Sequence, residues 1–143
     1  MPSRKSFYAR YPQHRVSVEP SANRVRVRLD NQVVADSLQA LVVRETNHDP
    51  VVYFPREDVR FAFFERTDHR TFCPFKGDAS YWTVRVGERV EENVAWTYED
   101  TFDEVADFRG YVAFFQDRVD CEDTPSAHNA SATGSPRLPE TRG

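Results

Sequence analysis

Arg24-Val25-Arg26-Val27-Arg28-Leu29 alternates charge and aliphatic side chain without a break. Period two belongs to a pleated strand, whose successive side chains point to opposite faces; a helix cannot put Val25, Val27 and Leu29 on one side. The pattern predicts those three facing inward and the arginines facing water, where charge on an edge strand blocks pairing with other chains. Asp30-Asn31 reads as a hairpin turn, and Gln32-Val33-Val34-Ala35-Asp36 returns along the first strand.

Further strands are predicted at residues 40–45, 51–54, 59–64, 82–86, 90–98 and 111–115. Asn47-His48-Asp49-Pro50 and Gly87 provide the turn chemistry between them. Pro55, followed by Glu57 and Asp58, suits the start of one short helical turn. Thr101-Phe102-Asp103-Glu104 is a capping box, with Phe102, Val105 and Phe108 on one face and Gly110 at the C-cap position. The expected fold is mostly β, a single small sheet or barrel-like domain with one short helix near residues 102–109.

A chain of 143 residues with 39% hydrophobic content supports one core. Its mean hydropathy of −0.69 points to polar ends. Residues 1–13 show no periodicity and read as a loose arm. Residues 122–143, with three prolines and one Leu, bury too little apolar surface to offset ordering entropy, so a disordered tail is expected there and a folded domain over 14–121. A net charge of −4 argues against a general nucleic-acid binder. Neither an apolar leader near Met1 nor a run of about 20 apolar residues is present, which predicts no membrane span and a cytoplasmic location. Cys73 and Cys121 form no CxxC, and the four histidines form no HxH or HxxxH pair, so no disulfide framework and no metal site are expected, and no cofactor is assigned.

The chemistry concentrates in residues 71–82, where a thiol, an amine, a carboxylate and the rings of Tyr81 and Trp82 fall close to Pro74 and Gly77. Pro74 biases Cys73 toward an extended backbone, and Gly77 allows a sharp turn. Cys73 is the candidate nucleophile and Lys76 its electrostatic stabiliser; Lys76 or His69 could lower the thiol's pKa. Asp78, Tyr81, Tyr53, Arg44, Arg56 and His69 are the candidate ligand-binding residues around them. Each has a plainer reading. Cys73 can be a small buried hydrophobe, Arg44 and Arg56 can serve ion pairs, and His69 can be a loop residue bonded to backbone. Trp82, Trp96 and Tyr98, at period two, read as core first and as a stacking wall second. The functional expectation is a small-molecule site for an anionic ligand such as a nucleotide or phosphorylated metabolite. The alternative is a non-catalytic module that docks another protein or forms a homo-oligomer.

Arg44-Glu45-Thr46, Tyr53-Phe54-Pro55-Arg56-Glu57-Asp58-Val59, Cys73-Pro74-Phe75-Lys76-Gly77, Ala95-Trp96 and residues 110–114 occur in that order. With these runs the chain resembles the bacterial domain-of-unknown-function family 427, which is also carried under a nucleotidyltransferase heading. The resemblance covers most of residues 24–119 and implies a small β-rich single domain. It supplies no catalytic residues. The Asp-x-Asp arrangement that holds Mg²⁺ in nucleotidyl transfer does not occur, and the five glycines form no phosphate-binding loop.

Overall fold

A computed structural model describes residues 15–101 and 107–125, which build three antiparallel sheets. The first has the order β1 (Val16–Pro20), β4 (Leu41–Glu45), β5 (Val51–Tyr53). The second has the order β10 (Asp120–Pro125), β2 (Asn23–Leu29), β3 (Gln32–Ser37). The third runs β6 (Phe64–Cys73), β7 (Gly77–Val86), β8 (Arg89–Thr101), β9 (Val112–Phe114). No helix among the described residues is long and apolar enough to cross a membrane.

The alternating segment forms β2 as expected, with Val25, Val27 and Leu29 at most 1% exposed. Asp30 and Asn31 both have positive φ, 54° and 68°, the two-residue turn whose twist suits a hairpin. Two expectations need correction here. β2 is the central strand of its sheet, and residues 122–125, expected in a disordered tail, belong to β10 and pair with it. The arginine face accounts for both. Arg26 and Arg28 reach Glu122 on β10, and Arg24 forms a two-point bond with Asp36 on β3. The stripe thus pairs across strands on both sides, and the Arg24 guanidinium holds the Asp36 carboxyl below its usual range.

Residues 59–64 were expected as a strand, but Phe61–Phe63 forms a 3-10 turn, and β6 begins only at Phe64. Composition does not distinguish the two, because aromatic residues favour strands; spacing does. A 3-10 turn aligns residues i and i+3, and Phe61 and Phe64 both pack on Trp82, with ring centroids 5.3 and 6.1 Å away. Arg56–Asp58 forms the short turn expected after Pro55. Of the predicted helix, residues 102–106 lie outside the described residues, as do residues 1–13 and 126–143. Thr101, the expected cap, is the last residue of β8, and its hydroxyl accepts a hydrogen bond from Arg109 Nε at 3.2 Å.

Among the described residues no sheet closes into a barrel, which corrects the barrel-like option. Instead, Phe54 and Val112 exchange backbone bonds of 2.7 and 2.8 Å, stitching the end of the first sheet to β9 of the third. The third sheet therefore lies between two cores. One holds Trp82, Val84, Ala95 and Phe114 against Val25, Val27 and Leu29 of the second sheet. The other holds Ala79, Tyr81, Tyr98 and Ala113 against Val43 and Tyr53 of the first. Each fully buried Val, Leu or Phe in these layers contributes about 1.5–3 kcal/mol. A bulge between Trp82 and Val84, with Asn93 opposite at φ 52°, resets the parity of β8. Val94 consequently joins the first core, while Trp96 and Tyr98 face the second.

Candidate functional site

The second core is incomplete at one end, where a cavity of about 230 Å³ opens between the β4–β5 and β6–β7 hairpins. Period two in β4 turns Val43 and Glu45 toward it. Arg44 faces away and donates from Nε to Glu19 Oε2 at 2.7 Å. The β4–β5 turn, with Asn47 at φ 66°, carries His48 and Asp49 to the mouth of the cavity. From the floor β8 presents Trp96 and Tyr98, and β5 presents Tyr53.

The opposite lip is the expected turn. β6 ends at Cys73 and β7 starts at Gly77, and the Lys76 amide closes the turn on the Cys73 carbonyl at 3.2 Å. Gly77 is required twice over. Its φ of +122° lies in the region that favours glycine, and a Cβ there would stand 2.3 Å from the Asp100 carbonyl oxygen. So fixed, the turn places the Cys73 thiol on the cavity wall and sends Lys76 across to Glu45. The Lys76 Nζ–Glu45 Oε1 ion pair links two hairpins 31 residues apart, with side chains only 12% and 9% exposed. Lys76 Nζ also sits 6.0 Å from the Tyr98 ring centroid, and His48 Nε2 lies 3.9 Å from the other Glu45 oxygen.

Two phenols complete the floor. Tyr53 stacks on Phe108 at 4.8 Å, and its hydroxyl accepts the Trp96 indole N–H at 3.2 Å. Burial pushes the Tyr53 hydroxyl well above the usual tyrosine range against the opposing effect of that bond, and negative charge on Cys73, Glu45 and Tyr81 adds to it. Tyr98, 7% exposed, is raised further by burial and by Tyr53, Cys73, Tyr81 and Glu45. Both therefore remain neutral hydrogen-bonding groups at physiological pH.

Of the residues expected at the site, Cys73, Lys76 and Tyr53 line the cavity. Tyr81 packs behind its wall, bonded to the Thr71 hydroxyl at 2.9 Å, with the His69 ring 4.5 Å from its own. His69 sits in a bulge of β6, not in a loop. Asp78 is exposed on β7 beyond the cavity lining. Arg56 belongs to a separate cluster, in which it and Arg66 bind Glu99 and lie over the Trp82 ring. The Glu99 carboxyl is held below its usual range by the Arg66 bond first. Glu45, His48 and Asp49 also line the cavity although the sequence does not single them out as site residues, and so do Trp96 and Tyr98, whose period-two spacing reads first as core. One signal pointed to Glu45: it shares strand parity with the buried Val43.

No group of three or more His, Cys, Asp or Glu side chains among the described residues is placed to hold a metal ion. The cavity combines a thiol, an ammonium paired with a carboxylate, two neutral phenols and an indole. No curated protein matches the chain. A family model does match residues 17–124, nearly the whole of the described chain, and the chain belongs to the family described as a domain of unknown function, DUF427.

Proposed function

We propose that this protein binds a small molecule in the cavity between the two hairpins, with Cys73 as the group able to react with it, and that it does so in the cytoplasm, where thiols stay reduced. The carrying observation is the convergence of Cys73, the Lys76–Glu45 pair and three aromatic side chains on one concavity. Polar groups placed in an aromatic-walled hollow are what a ligand site requires.

The surroundings narrow the ligand. The Lys76 ammonium is already neutralised by Glu45, and Asp49 adds negative charge at the rim. A phosphate would have to displace Glu45 before it could reach Lys76, so the lining favours an uncharged ligand over the anion that the turn alone suggests. At about 230 Å³ the cavity falls below the roughly 300–1,000 Å³ common for drug-sized ligands. A metabolite smaller than a nucleotide fits that size.

A thermal-shift panel of small neutral carbonyl, amide and polyol metabolites, run beside nucleotides and sugar phosphates with and without Mg²⁺, tests the reading. A ligand at a hundred times its Kd adds about 2.7 kcal/mol of stability. The proposal expects a response among the neutral compounds that Cys73→Ala or Trp96→Ala weakens. A flat panel, or a response confined to Mg²⁺-nucleotides, overturns it.

A further inference from the structure

One feature of the cavity has no role in holding the fold together. The Tyr98 hydroxyl, on a residue 7% exposed that lines the cavity, has no hydrogen-bond partner among the described residues. A hydroxyl on an otherwise buried ring that bonds nothing in the described protein is left to whatever occupies the cavity. Tyr53 accepts from Trp96, which leaves its own O–H proton to donate, and no acceptor for it occurs among the described residues either. Cys73 lines the same cavity of about 230 Å³ as both phenols.

We propose that Tyr53 and Tyr98 are paired donors for the oxygen of a carbonyl ligand whose carbon is presented to Cys73 Sγ. This rests on the cavity reading above and adds a substrate class, a compact uncharged carbonyl compound. In the step, the Cys73 thiolate attacks the carbonyl carbon, a C–S bond forms, and the π pair moves onto oxygen. The two phenol protons hydrogen-bond that oxyanion without leaving their own oxygens. With an acyl donor the pair returns and expels the leaving group, giving a thioester. With an aldehyde the oxygen takes a proton, giving a hemithioacetal. The proton lost by the thiol passes to His48 or water at the mouth. Preorganised donors aimed at a developing oxyanion in a largely buried cavity act strongly.

The test compares two reactions of one sulfur in Cys121→Ser protein. Acylation by p-nitrophenyl acetate passes through an oxyanion; alkylation by iodoacetamide does not. Each rate is taken as the part abolished by Cys73→Ala, with the modified residue confirmed by mass. Tyr98→Phe removes only an oxygen that bonds nothing in the described protein, so alkylation in the same variant controls for folding and thiol acidity. The proposal expects acylation to fall on the order of 10- to 100-fold while alkylation stays within about twofold, with Tyr53→Phe acting in the same direction. Equal losses in both reactions, or no loss of acylation, overturn it. Failure of Cys73 to alkylate in the folded wild type overturns the cavity reading itself.

Discussion

The Lys76–Glu45 pair bridges the two lips of the cavity, and removing it one side chain at a time tests how much of the site depends on it. Two unit charges about 4 Å apart attract by roughly 4 kcal/mol at an effective dielectric of about 20. Desolvation offsets much of that when the pair forms, but a partner left alone keeps the desolvation without the attraction. With side chains 12% and 9% exposed, Lys76→Met and Glu45→Gln should each cost about 3 kcal/mol. The double variant leaves neither charge stranded and should lie within about 1 kcal/mol of wild type. Urea unfolding followed by tryptophan fluorescence gives the four stabilities and hence a coupling of several kcal/mol. The singles should also speed the reaction of Cys73 with thiol reagents beyond its wild-type rate as the β6–β7 turn loses its tether to β4. Additive losses, with coupling under about 0.5 kcal/mol, would show that the pair does not hold the hairpins together.

Other outcomes follow from single contacts. Gly77→Ala should destabilise by about 3 kcal/mol or more, because it sets a Cβ 2.3 Å from the Asp100 carbonyl at φ +122°; a loss under about 1 kcal/mol in urea unfolding would refute the steric argument. Thr97→Val should raise the melting temperature, since the Thr97 hydroxyl is buried without a partner among the described residues and its removal relieves up to about 1 kcal/mol. A drop there would mean that the hydroxyl is bonded. Tyr53 and Tyr98 bind protons more tightly folded than unfolded, so their contribution is intact below about pH 10 and is lost as pH rises through their raised folded values. Stability should then fall by up to about 2.7 kcal/mol per pH unit above pH 10, and Tyr98→Phe should remove about half of that slope; an unchanged slope would refute the assignment.

Much of the fold could be read directly from the chain. The alternation at Arg24–Leu29 marks a half-buried strand, and Asp30-Asn31 supplies the only local conformation that turns it back on itself. Cys73 and Gly77 likewise bound a turn because proline and glycine dictate backbone angles locally. Errors arose where neighbours decide. Phe61–Phe63 has strand composition but takes a 3-10 turn to lay two rings on Trp82. The bulges opposite Thr83 and at Arg66–Arg70 shift side-chain parity with no marker stronger than one asparagine. They also decide which residues share a face, which is why His69 lies away from the cavity, while Arg56, in the 3-10 turn after β5, pairs with Glu99. The site was half legible for the same reason. Cys73 and Lys76 belong to one local turn, whereas Glu45 meets Lys76 only after 31 residues of chain have folded between them. Tyr98 looked like core because it is core on every side except the one facing the cavity.

The claim beneath all of this is that Cys73 stands on the wall of an accessible cavity in the native protein. Timed iodoacetamide labelling of folded Cys121→Ser protein at pH 8, read by intact mass and peptide mapping, measures that directly. The account predicts complete single modification at Cys73 well below the urea midpoint. A thiol that reacts only as the chain unfolds would contradict it.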